Sequence, residues 1–125
     1  MYLDTHVAVW LYEAEVDLFP RSSRTLLETN ELVVSPVVEL ELQFLFEIGK
    51  ISEPGNVVVD CLEKEIGLRR CGLPLAQVVA VALDIDWTRD PFDRLIVAQA
   101  KARRLPLLTK DETIRDHYDD AVWHD

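Results

Sequence analysis

Four acidic residues stand where a solubilising charge is not expected: Asp4, Glu41, Asp93 and Asp111. Asp4 and Asp111 each follow a short apolar segment with the pattern of a strand, and Asp93 lies in the first turn of a predicted helix. Because ligands bind at the carboxyl ends of parallel strands, we expect the four carboxylates to face one edge of a sheet. Clustered carboxylate oxygens suit Mg²⁺ or Mn²⁺ rather than zinc. The pattern therefore predicts a metal site for phosphodiester hydrolysis, in which a cation lowers the pKa of a bound water.

The helix predicted from Pro36 to about Gly49 distinguishes Glu41 from its neighbour Glu39. Three polar residues recur at i, i+4 and i+8 and form a stripe that we expect to face solvent: Glu39, Gln43 and Glu47. Glu41 lies roughly 200° from Glu39 around the helix. We therefore expect it to point toward the protein interior, with Val37, Val38, Phe44 and Ile48. A buried carboxylate without a partner is costly, so Glu41 is expected to have one.

Strand-like and helix-like segments alternate along the chain. The strand candidates are short and apolar: Tyr2-Leu3, Leu32-Val33-Val34, 105–109 and Ala121-Val122-Trp123. Helices are predicted after the first strand, over about 22–30 and 36–49, around 58–66, and over about 76–83 and 91–104. The alternation predicts a three-layer α/β/α domain with a mostly parallel central sheet.

The size and composition of the chain limit its function classes. Its 125 residues, 49% of them hydrophobic, predict one domain spanning 1–125. A formal net charge of −10 disfavours a general nucleic-acid binder, so an RNA substrate would require metal ions and a local basic patch. Cys61 and Cys71 lack metal-site spacing and are expected to be reduced. No signal peptide or membrane span is visible in the sequence, so we expect a cytoplasmic protein with no membrane partner.

Each of three acids also has a purely structural explanation. Asp4 would serve as the N-cap of the first helix, and Asp93 would complement the dipole of a helix capped by Asp90. A capping box over 109–112, with Thr109 as N-cap, would make Asp111 a first-turn acid. The four positions therefore argue for a site jointly rather than one by one.

Four segments carry a resemblance that spans nearly the whole chain. The first is Leu3-Asp4-Thr5-His6 with Trp10, and the second is 35–42 followed by Gly49-Lys50-Ile51. The third is 89–100, which begins Arg89-Asp90-Pro91-Phe92-Asp93-Arg94, and the fourth is Leu107-Leu108-Thr109-Lys110-Asp111. In this order they resemble the PIN-domain ribonucleases of the VapC toxin type, and the third segment is the most specific. The resemblance places the four acids of that family on Asp4, Glu41, Asp93 and Asp111.

The resemblance implies an Mg²⁺- or Mn²⁺-dependent endoribonuclease that acts on RNA, with those four residues as catalytic and metal-binding groups. It also implies a cognate VapB-like antitoxin that holds the toxin inactive, and a homodimer. The acidic balance of the chain is compatible with a partner that offers Arg or Lys.

Several assignments stay open at the level of sequence. Arg89, Arg94 and Lys110 would either steer a phosphate or pair with the carboxylates, and Asp90 would act as a helix cap or an outer-shell group. One alternative is a PIN-like protein that binds without catalysis. Another is a receiver-like signalling domain with Asp60 as phosphoacceptor.

Overall fold

A five-stranded parallel sheet forms the centre of the molecule, for which a computed structural model describes residues 1–123. The strands have two residues each: β1 (Tyr2–Leu3), β2 (Val33–Val34), β3 (Arg69–Arg70), β4 (Leu107–Leu108) and β5 (Ala121–Val122). Their order in the sheet is β3-β2-β1-β4-β5, and every pairing is parallel. In the central strand, Tyr2 pairs with Val33 on one side and with Leu107 on the other.

Helical crossovers connect these strands, as parallel pairing requires. The helices are α1 (Thr5–Tyr12), α2 (Arg21–Thr29), α3 (Pro36–Glu47), α4 (Gly55–Ile66), α5 (Leu75–Ala82), α6 (Pro91–Arg103) and α7 (Glu112–His117), with a 3₁₀ turn at Val16–Leu18. This arrangement confirms the predicted three-layer α/β/α fold with a parallel sheet. Within residues 1–123, no helix has both the length and the apolar character needed to cross a membrane.

The core lies around the two central strands, where both side-chain positions are inaccessible to solvent. Tyr2, Leu3, Leu107 and Leu108 are fully buried, so neither face of the sheet is open to water here. The hydroxyl of Tyr2 donates to the Cys71 sulfur at 2.9 Å. Both cysteines are free thiols, as expected.

Strand β3 was not predicted, because neither of its residues is apolar. It lies at the edge of the sheet, where only β2 pairs with it, and charged residues are tolerated at such an edge. The guanidinium of Arg70 binds Glu39, Asp60 and Glu63 at 2.8, 2.7 and 3.0 Å. These ion pairs attach the edge strand to α3 and α4.

The expectation that Glu39, Gln43 and Glu47 form a solvent stripe was wrong for Glu39 and Gln43, which are partly buried, whereas Glu47 is exposed. This side of α3 packs against α4: Glu39 binds Arg70, and the Gln43 side chain accepts a hydrogen bond from the Gly55 N–H at 3.1 Å. A Cβ atom at Gly55 would overlap the Glu39 carbonyl oxygen and lie 2.9 Å from the Gln43 nitrogen. The absence of a side chain at Gly55 therefore permits this close contact between two helices.

The expected interior face of α3 was also partly wrong. Val38 is buried, but Phe44 and Ile48 are 45% and 51% exposed. Glu41 itself is partly buried. The helix buries its Val38–Leu42 side in the core and packs Glu39 and Gln43 toward α4. Part of its apolar surface is left uncovered.

Candidate active site

The four predicted acids line one cavity of about 420 Å³. The full set of lining residues is Asp4, His6, Trp10, Glu41, Asp90, Asp93, Lys110 and Asp111. Asp4 and Asp111 reach it from the carboxyl ends of β1 and β4, while Glu41 and Asp93 reach it from α3 and α6. The structure thus brings together the residues that the strand-end argument selected, and it adds Asp90 as a fifth acid.

Asp4 forms the buried floor of this cavity and is 7% exposed. Its backbone N–H donates to the Leu108 carbonyl at 3.0 Å, which continues the pairing of β1 with β4. One carboxylate oxygen accepts from the Thr5 N–H at 2.8 Å and the other from the Thr109 hydroxyl at 2.6 Å. Burial raises the pKa of Asp4, although the two hydrogen bonds oppose the rise. Asp4 therefore both caps the N-terminus of α1 and lines the cavity.

Glu41 has the partner that its position required. The Thr5 hydroxyl donates a short hydrogen bond to a carboxylate oxygen of Glu41. Partial burial raises the pKa of Glu41, and the nearby charges of Asp4 and Asp90 raise it further, while the hydrogen bond from Thr5 acts in the opposite direction. Thr5 therefore connects the first acid of the chain to the second.

Asp93 has a carboxyl group whose pKa lies well above its ordinary range. Asp90 caps α6 as predicted and accepts hydrogen bonds from the N–H groups of Phe92 and Asp93 at 2.9 and 3.3 Å. Burial raises the pKa of Asp93 to about 7, and repulsion from Asp90, Asp4, Asp111 and Glu41 contributes to the rise. Excess negative charge is therefore concentrated here.

Asp111 begins α7, and the predicted capping box with Thr109 as N-cap was wrong. The cap is Asp111 itself, whose side chain accepts from the Ile114 N–H at 3.0 Å. The Thr109 hydroxyl instead donates to Asp4 and accepts from the Asp111 N–H at 3.1 Å. The helix starts two residues later than expected because Thr109 is engaged by the first strand's acid.

Two hydroxyl groups that the sequence reasoning missed position the acids. Thr5 and Thr109 are fully buried, and each donates to a carboxylate of the cavity. Their signal in the sequence was weak, because threonine next to a strand end is common in helix caps and turns. Only the structure shows where the two hydroxyls point.

The donor set suits a hydrated divalent cation better than a closed protein cage. Within residues 1–123, no three Asp, Glu, His or Cys side chains are already arranged to hold one ion directly. Mg²⁺ normally keeps several waters and uses one or two carboxylates, so preformed coordination by three side chains is not required. Burial raises the pKa of Asp93, repulsion from the neighbouring carboxylates raises it further, and a cation would relieve that repulsion.

The basic residues near the acids have different roles. The Arg94 guanidinium donates to the Ala82 carbonyl at 3.0 Å and so binds the end of α5, which matches neither predicted role. Lys110 lines the cavity, with its ammonium 6.0 Å from the centre of the Trp10 ring. Arg89 is exposed. Asp60 lies within α4 and binds Arg70, a setting that does not fit the strand-end phosphoacceptor of the receiver-like alternative.

Comparisons with known proteins identify the family and agree with the fold. Residues 1–119 match the family model described as PIN domain. The chain is 33% identical over 116 residues to Ribonuclease VapC22 of Mycobacterium tuberculosis (strain ATCC 25618 / H37Rv), and the match covers 92% of this chain and 89% of that relative. A crystal structure of VapBC2 from Rickettsia felis, bound to a DNA fragment from their promoter, is similar with a TM-score of 0.66. That match has 17% sequence identity and covers 94% of this chain and 92% of the other.

Proposed function

The chain belongs to the PIN domain family, and we propose that it is a VapC-type endoribonuclease toxin that hydrolyses RNA phosphodiester bonds. The observation that carries the proposal is the convergence of Asp4, Glu41, Asp93 and Asp111 on one cavity. The ribonuclease relative at 33% identity, matched over most of both chains, supports the same activity. Because all four acids are retained, we favour catalysis over a PIN-like protein that only binds.

In this proposal, the four carboxylates hold Mg²⁺ or Mn²⁺ and orient the attacking water. A bound cation supplies a water of lowered pKa and neutralises charge on the phosphate. Asp4 provides a fixed anchor, since both of its oxygens are held by hydrogen bonds. Glu41 and Asp93 stand on helices that flank this anchor, and both side chains are partly buried.

Cleavage assays with purified protein test the activity. We expect Mg²⁺ or Mn²⁺ to support cleavage of single-stranded RNA and EDTA to stop it. Asp4→Asn and Asp93→Asn should abolish cleavage while a cooperative melting transition survives. Asp116→Asn, at an exposed acid that does not line the cavity, serves as the matched control. Undiminished cleavage by folded Asp93→Asn protein would overturn the site assignment.

We also propose that a VapB-like antitoxin neutralises the protein through two adjoining cavities. The carboxylate cavity would accept an Arg or Lys side chain of the antitoxin. A second cavity of about 390 Å³ would accept its apolar residues, and that cavity is lined by Leu11, Val16, Phe19, Arg24, Leu27, Glu28, Leu32 and Ile66. Phe19 packs edge-on against Trp10 with 5.9 Å between the ring centres, so one aromatic contact separates the two cavities.

A homodimer is proposed from two exposed apolar stripes. Both stripes have i, i+4, i+8 spacing. The stripe along α3 consists of Leu40, Phe44 and Ile48, and the stripe along α5 consists of Leu75, Val79 and Leu83. Their exposed fractions lie between 38% for Val79 and 72% for Leu83. Both helices pack against α6, and apolar surface of this extent usually marks an interface.

Analytical ultracentrifugation tests the dimer. We expect a dimer for the wild type, a monomer for Leu83→Glu, and a dimer for the control Ile66→Glu. Ile66 is 43% exposed and lies outside both stripes. A monomeric wild type would rule out this assembly without affecting the ribonuclease proposal.

A further inference from the structure

Lys110 is an exposed cation that lines an acidic cavity. Among the described residues that line the cavity, it alone carries an ammonium or guanidinium group, beside five carboxylates. It follows Thr109, which binds Asp4, and precedes Asp111. Within residues 1–123, its ammonium makes no ion pair within 4 Å of a carboxylate. An ammonium that served only to balance this charge would be expected to pair with one of the acids.

The Trp10 ring holds the ammonium instead. The Lys110 nitrogen lies over the indole, 6.0 Å from its centre, where the ring quadrupole attracts a cation. Phe19 packs edge-on against the indole, and Trp123 packs against it at 5.9 Å between the ring centres. Phe19 is 2% exposed, so the aromatic cluster is anchored in the core. The position of the indole is therefore fixed, and its face makes a cation–π contact with the ammonium at the side of the cavity.

The backbone of the same segment is held from outside the cavity. The Arg115 guanidinium donates to the Lys110 carbonyl at 3.1 Å, and the Thr109 hydroxyl accepts from the Asp111 N–H. Lys110 thus has a fixed backbone and a side chain free of carboxylate partners among the described residues. This arrangement leaves its charge available to an anionic group that enters the cavity.

We propose that Lys110 binds a phosphate oxygen of the RNA beside the carboxylates, and that Trp10 is a positioning residue that keeps the ammonium off those acids. The proposal rests on the ribonuclease function proposed above. The net charge of −10 would repel RNA. Lys110 would give the RNA one positive contact within a site whose carboxylates otherwise repel its phosphates.

Salt dependence of RNA binding tests this role. Binding of a short labelled single-stranded RNA is measured in Mg²⁺ over a range of salt concentrations, in an Asp93→Asn background that prevents turnover. We expect Lys110→Met to weaken binding about tenfold at low salt. It should weaken binding equally for RNAs of different sequence and reduce the salt slope by about 0.7, the value of one phosphate contact on a single strand.

Matched variants distinguish the effect of the Lys110 charge from that of its position over Trp10. Lys110→Arg should keep the slope, and Trp10→Leu should lose part of the affinity while Trp10→Phe loses less. In the otherwise wild-type enzyme, Lys110→Met should raise KM more than it lowers kcat. Lys101→Met, at an exposed lysine of α6, is the control and should change neither the slope nor KM.

Three results would overturn the inference. One is an unchanged slope in Lys110→Met, and another is an equal change in Lys101→Met. The third is normal RNA binding by Lys110→Met, together with a melting temperature that is lower than that of the wild type in EDTA and recovers in Mg²⁺. That result would mean that Lys110 only balances the charge of the carboxylates. A wild type that neither binds nor cleaves RNA would instead defeat the ribonuclease proposal itself, and the inference with it.

Discussion

Without metal, the free energy of unfolding should fall as the pH rises from about 4 to 7. Asp93 is the main cause, because burial and four neighbouring carboxylates raise its pKa from an ordinary 3.8 to about 7. Between these two values the folded state binds more protons than the unfolded state does. Stability is therefore lost as the pH increases through that window, and it is regained in acid.

The size of the effect follows from the same two values. A change in pKa from 3.8 to about 7 corresponds to at most about 4 kcal/mol. The Asp93 side chain is partly exposed, so solvent screening reduces this to about 1–2 kcal/mol. For a chain of this length, the melting temperature should fall by about 4–8 °C across the window.

Thermal unfolding in EDTA, followed by circular dichroism, measures this loss. Asp93→Asn removes the titrating group, so its melting temperature should exceed that of the wild type at pH 7.5 and converge with it near pH 4. Asp116→Asn should follow the wild type. Mg²⁺ should stabilise the wild type more at pH 7.5 than at pH 5, because the cation binds ionised carboxylates.

Parallel pH profiles for the wild type and Asp93→Asn would refute the reasoning. They would mean that the carboxylates do not repel one another enough to affect folding. A Mg²⁺ effect that is equal at both pH values would contradict the metal site separately.

Further predictions concern the framework of the site. Gly55→Ala should destabilise the fold by about 1–3 kcal/mol in urea unfolding, since its methyl group would overlap α3. Gly72→Ala should be nearly neutral, because a Cβ there meets nothing within 4 Å. Thr109→Val should cost about 1–3 kcal/mol by leaving a buried oxygen of Asp4 without its donor, and Thr109→Ser should restore most of that loss. Arg70→Met should cost about 1 kcal/mol or less, because its ion pairs are partly exposed, and a larger loss by the same assay would show that they stabilise the edge strand more than expected.

The positions of the site residues could be predicted because strand ends determine them. Asp4 and Asp111 follow apolar strands, and parallel strands bring their carboxyl ends to one edge. Asp93 was found from a helix start that Asp90-Pro91 marks clearly. Local sequence patterns were sufficient for each of these residues.

The surroundings of α3 could not be predicted in the same way. Periodicity identifies an apolar face, but it does not show whether that face is covered by the same chain. Here Glu39 and Gln43 pack toward α4 because Gly55 permits close approach, while Phe44 and Ile48 remain exposed. Strand β3 was missed for a related reason, since its stability comes from Arg70 and three acids on other elements.

The hydrogen bond between Thr109 and Asp4 has a consequence for biosynthesis. It joins residues separated by 105 positions, and the backbone of Asp4 is paired with Leu108. During synthesis Asp4 is made before Thr109, and the Thr109 hydroxyl that binds the Asp4 carboxylate is added only after four of the five strands. In a nascent chain, the Asp4 carboxylate therefore lacks its hydrogen bond from Thr109 until β4 has been made. On the proposed function, the complete set of four acids can form only after Asp111 has been added to the chain.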